Sequence, residues 1–121
     1  MVFEKYMLHH IKGYRKVLLE IRRVTRREGT VIIVEANRMN PILYLHMTLM
    51  KGHQHFTKQY LKTLLASTFK NVKITSIESH VYPTSSDSVL KFMRILEDLL
   101  NKAPFKDLLS YNIVVAKNTH E

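Results

Sequence analysis

The chain has 121 residues, 19 of them basic and 10 acidic, a formal charge of +9 and no cysteine. That length suits a single domain over residues 1–121 and leaves no room for a second core. Disulfides, thiolate metal sites and cysteine nucleophiles are excluded, and no apolar run approaches the roughly 20 residues that span a bilayer, so no membrane partner and a cytoplasmic location are expected.

In chain order, Val2–Leu8 (VFEKYML) has the apolar content of a strand, interrupted by Glu4 and Lys5. His9, His10 and Ile11 lead to Gly13, after which Tyr14, Val17, Leu18, Ile21 and Val24 recur at helical spacing and predict an amphipathic helix over Gly13–Arg27. Arg22, Arg23, Arg26 and Arg27 complement the negative end of its dipole. The same basic face offers nucleic acid a docking surface, although no interleaved aromatic and basic pattern accompanies it. Gly29 suits a left-handed C-cap.

Thr30–Val34 (TVIIV) runs without polar alternation, which predicts a strand buried on both faces. The run stops at Glu35, Asn37, Arg38 and Asn40, a polar edge at the carboxyl end of a central strand, where open α/β sheets bind ligands. Glu35, Asn37 and Arg38 are therefore the candidate substrate-binding residues, with strand capping as their alternative use. Pro41–Met50 reads as a short helix with proline in its first turn, and Lys51–Phe56 (KGHQHF) as a loop. Thr57 caps a helix through Phe69. A strand of mixed character covers Val72–Ser79 and ends near Val81-Tyr82-Pro83. A turn at Thr84–Ser88 follows, then a helix capped by Ser86 or Asp87 that buries Val89, Leu90, Met93, Leu96, Leu99 and Leu100 and stops before Pro104. Tyr111–Lys117 is a last strand before a polar tail. This alternation of strands and helices makes an α/β chain.

Seven histidines raise the question of a metal. His46, His53 and His55 are nearest in sequence, but His53-x-His55 in a loop is a weak zinc signal, and no metal site is expected. No H-E-x-x-H, P-loop or G-x-S-x-G is present, so the common hydrolase and nucleotide-binding mechanisms have no support.

The stretch Leu8–Pro41 resembles the second half of a class I S-adenosylmethionine (SAM)-dependent methyltransferase domain of the type 11 group. The resemblance rests on Leu8, His9, His10 and Ile11, on Leu18 or Leu19, Glu20, Ile21, Arg23, Val24 and Gly29 in the helix and its turn, and on Val31–Glu35, Asn37 and Pro41. It continues more loosely to the end of the chain. It implies a partial Rossmann-like sheet with the equivalents of strands 4-5-7-6, the last strand antiparallel, flanked by helices. It also implies that His9 and His10 stand beside the reacting groups as catalytic residues, a base or an orienter of a small-molecule acceptor. One histidine in the core and one in solvent is the alternative.

The family's cofactor cradle, a Gly-rich turn and an acidic strand end, has no counterpart here: Gly13, Gly29 and Gly52 stand singly. SAM is implied by resemblance only, and this chain alone is expected to lack tight cofactor binding and activity. An open edge at the first strand then implies a homo-oligomer or a complementing chain carrying the N-terminal half. The alternatives are a degenerate scaffold or interaction module and a basic nucleic-acid-binding protein.

Overall fold

The computed structural model describes residues 1–78, 85–102 and 104–119. The expected strand end at Val81-Tyr82-Pro83, the start of the following turn and the end of the tail lie outside them.

The first strand, β1, spans Val2–Lys5. It is shorter than expected because Tyr6 takes a left-handed conformation (φ 60°) and packs its ring on Tyr111, turning the chain into one 3-10 turn over Leu8–His10. Helix α1 covers Tyr14–Val24 and stops one turn earlier than its arginines suggested. Thr25 is extended and sends its hydroxyl back to the Ile21 carbonyl, while the Asn118 amide donates to the carbonyls of Arg22 and Thr25 at 2.9 and 2.5 Å. A side chain from the far end of the sequence thus caps the helix. Glu28, not Gly29, takes the left-handed position (φ 58°). Gly29 is needed for space, since a Cβ there would meet the Arg26 carbonyl oxygen and Thr25 Cγ2, each at 2.7 Å.

Strand β2 (Gly29–Ala36) pairs parallel with β1 and antiparallel with β4 (Tyr111–Asn118). Strand β3 (Lys70–Ile77) pairs antiparallel with β4, giving the order β1-β2-β4-β3. This is the 4-5-7-6 arrangement that the resemblance implied. The core lies on one face, where Leu18 and Ile21 of α1 and Leu61, Leu64 and Leu65 of α3 (Lys58–Ala66) meet Val31, Ile33, Val114 and Ala116. Burial on both faces holds only near the carboxyl end of β2, at Val34 and Ala36; Ile32 is half-buried and its partner Val115 is exposed.

Asn40 caps α2 (Pro41–Leu43) by accepting from the Ile42 and Leu43 amides, with Pro41 in the first turn. The helix then widens into a π turn over Tyr44–Met50. Thr57 caps α3 through the Tyr60 amide, as its sequence suggests. In α4 (Asp87–Leu100) the inward stripe is Leu90, Met93, Leu96 and Leu100, whereas Val89 and Leu99, expected inside, are exposed beside Phe92 and Ile95. Among the described residues no helix is long and apolar enough to cross a membrane.

Candidate functional site

The carboxyl ends of β1 and β2 lie side by side because the two strands are parallel, so both deliver side chains to one edge. The inward position near the end of β2 is Glu35, wholly buried. Its Oε1 accepts from the Leu8 amide at 2.7 Å, and its Oε2 meets Nδ1 of His9 at 2.7 Å. Burial pushes the Glu35 carboxyl up to about 7, against the pull of the nearby backbone amides, and burial with the neighbouring His53 pushes His9 down. The pair holds His9 in one orientation, leaving Nε2 as its unengaged nitrogen.

Glu4 is the inward position on β1. It accepts from the Met7 amide at 2.6 Å, its other oxygen is buried without a partner, and burial raises its carboxyl to about 7. The residue that interrupts the apolar pattern of Val2–Leu8 is therefore the second buried acid of this edge.

The segment after the π turn runs beside this edge. Asn37 forms a parallel bridge to Phe56, and the Arg38 amide donates to the Phe56 carbonyl at 3.1 Å. That contact brings His53 and His55 to His9 and His10. Ring centroids are 3.9 Å apart for His9 and His10, 5.1 Å for His10 and His53, and 4.4 Å for His9 and His55. His55 is buried and pushed down to about 4, first by desolvation and then by the charges around it.

The four histidines line an open cavity of about 770 Å³ with Arg38 and Tyr60. Tyr60 shares a 2.5 Å hydrogen bond with the hydroxyl of Tyr14. Of the residues predicted from sequence, His9, His10 and Arg38 line this cavity. Glu35 reaches it only through His9. Asn37 does not reach it: its amide donates to the carbonyls of Asp107 and Leu109, each at 2.8 Å, and its oxygen accepts from the Met39 amide. Asn37 is fully buried and its side chain is spent inside the fold, so an acceptor-binding role does not fit it. His53 and His55, weighed from sequence as a weak zinc signal and set aside, line the same cavity; that they meet His9 and His10 had no signal beyond the spacing in KGHQHF.

No protein-family model and no curated protein matches the chain. Solved structures do. A SAM-dependent methyltransferase from Archaeoglobus fulgidus aligns over 96% of this chain and 57% of its own, with 17% identity and a TM-score of 0.62. A Thermotoga maritima SAM-dependent methyltransferase, described as a possible histamine N-methyltransferase, aligns over 97% of this chain and 54% of its own, with 10% identity and a TM-score of 0.64. Phosphoethanolamine N-methyltransferase 2 of Haemonchus contortus, solved in complex with SAM, aligns over 98% of this chain and 33% of its own, with 12% identity and a TM-score of 0.60. The chain thus spans between one third and three fifths of the length of these proteins. Its fold is that of part of a SAM-dependent methyltransferase domain.

Proposed function

We propose that the chain supplies the acceptor-facing wall of a methyltransferase site whose cofactor-binding portion is contributed in cis or by a second polypeptide. The observation that carries this reading is the His9–Glu35 pair at the carboxyl ends of two adjacent parallel strands, opening on a cavity. Glu35 orients the imidazole, and Nε2 is the atom that would accept a proton from an acceptor's amine or hydroxyl. Arg38 and Lys12 bring positive charge to the same cavity and suit an acceptor with an anionic group.

In this reading the chain alone does not cradle SAM, because its three glycines stand singly and build no Gly-rich turn. The space at Gly29 is filled by Arg26 and Thr25, and nothing lies within 4 Å of a Cβ at Gly13 or Gly52. The acids near the ends of β1 and β2, Glu4 and Glu35, are buried, each accepts from a backbone amide, and neither lines the cavity where ribose hydroxyls would have to meet it. A complementing portion, either the partner half of a larger protein or another chain beside the outer edge of β1, fits this reading.

The test has two arms. Calorimetric titration of the isolated chain with SAM and with S-adenosylhomocysteine is expected to show no tight binding. Co-purification from the native source, followed by transfer of labelled methyl groups to small amines and phenols, is expected to give activity that His9→Ala reduces about a hundredfold or more. Tight SAM binding by the isolated chain, or activity unchanged in His9→Ala, overturns the reading.

A further inference from the structure

The histidine cluster has a property that an acceptor site does not need. Both ring nitrogens of His55 and Nδ1 of His53 are buried with no hydrogen-bond partner, although a neutral imidazole carries one donor and one acceptor. Residue His55 is 5% exposed, so water offers it little compensation. Buried polar atoms without partners are uncommon, and a missing ion is one of the few physical explanations.

We propose that His9, His10, His53 and His55 form a binding site for one divalent transition-metal ion of the zinc, nickel, copper or cobalt class. One ligand nitrogen from each of His9, His10 and His53 lies within 4.8 Å of the other two, and His9 and His55 are grouped with Glu35 in the same way. Four imidazoles around a tetrahedral ion, with nitrogens about 2 Å from it, place their ring centroids about 5 Å apart. Five of the six ring pairs, at 3.9, 4.4, 5.1, 6.0 and 6.1 Å, lie on either side of that value. Glu35 on Nδ1 of His9 is the carboxylate behind a ligating histidine that metal sites commonly use, and it leaves Nε2 for the ion. An all-nitrogen donor set selects borderline transition metals over magnesium and calcium, which require oxygen.

This inference rests on the cluster and not on the methyltransferase reading. The two meet at one atom, because an ion on His9 Nε2 takes the lone pair that the acceptor role uses. Metal occupancy would therefore tie the turn after β1 to the segment before α3 and block proton acceptance by His9.

The experiment is calorimetric titration of the untagged chain with Zn²⁺, and separately with Ni²⁺ and Mg²⁺, alongside visible absorption of the Co²⁺ form. The expected result is one Zn²⁺ per chain, a tetrahedral Co²⁺ spectrum and no Mg²⁺ binding. His53→Gln and His55→Gln should each weaken Zn²⁺ binding about tenfold or more, and His46→Gln, outside the cluster, should leave it unchanged. Circular dichroism of each metal-free variant separates loss of ligation from loss of fold, and a variant that does not fold is replaced by His10→Gln at the exposed ligand. Absence of saturable Zn²⁺ binding, or binding that His10, His53 and His55 substitutions leave intact in folded protein, overturns the proposal.

Discussion

Two buried polar clusters share the carboxyl end of β2 and differ in how they are satisfied. On one side Asn37 and Asn40 fill their hydrogen bonds within the chain, joining the strand end to the backbone of residues 107–110. On the other, Glu4, His53 and His55 keep buried atoms without partners, and Glu4 and Glu35 are held near neutrality by burial. The first arrangement stabilises the fold; the second costs stability and is the kind of cost that functional sites carry. The difference is a practical guide to which polar residues at a strand end are scaffold and which are site.

The comparison breaks most visibly at Asn37. Asn37→Ala removes three hydrogen bonds, one of them to the carbonyl of buried Leu109 and one to that of exposed Asp107, so unfolding in denaturant should show a loss of about 2–3 kcal/mol. A loss below about 1 kcal/mol would mean that the asparagine cluster is not scaffold.

That cluster was partly legible in the chain itself. The unbroken TVIIV run announced β2, and Asn40 before Pro41 carries a recognisable cap, because both signals are local. The destination of Asn37 was not legible, since it depends on a turn some seventy residues later. Glu4, with Lys5, looked like a break in a strand because charges in an apolar run normally face water; here the pleat turns Glu4 inward, where it accepts from the Met7 amide. The meeting of His9 and His10 with His53 and His55 depends on the Asn37–Phe56 bridge, a pairing that no periodicity encodes. The strand order came from the resemblance and not from the pattern of elements, which leaves the place of β4 open.

A second and smaller effect sharpens the comparison through pH. Between about pH 4.5 and 6.5 the native state binds more protons than the unfolded chain at Glu4 and Glu35, whose pKa values are raised from 4.5. It binds fewer at His55, lowered from 6.5 to about 4, and at His9, lowered in the same direction. The raised acids make stability fall as pH rises; the lowered histidines make it rise. In metal-free buffer the two trends oppose, and the native profile should be shallow. Glu4→Gln should tilt it upward with pH and His55→Gln downward, each by about 1 kcal/mol per pH unit. Parallel profiles for the three proteins would show that these groups do not titrate on folding.

The smallest effect is also the most diagnostic. His55→Leu replaces an unsatisfied imidazole by an apolar side chain, and metal-free protein should gain about 1 kcal/mol in thermal or denaturant unfolding. An equal loss would place His55 with the asparagines as scaffold.

The bridge between Asn37 and Phe56 also differs from the sheet in how it closes. It can close only after β2 has a strand end to offer, and it closes a short loop whose entropy cost is modest. Sheet pairing between β2 and β4, by contrast, must join segments from opposite ends of the sequence. The long-range pairing is thus the step expected to be slow, and the gathering of the four histidines the local and faster one. A site held by so local a bridge is expected to open and reclose while the sheet beneath it stays intact.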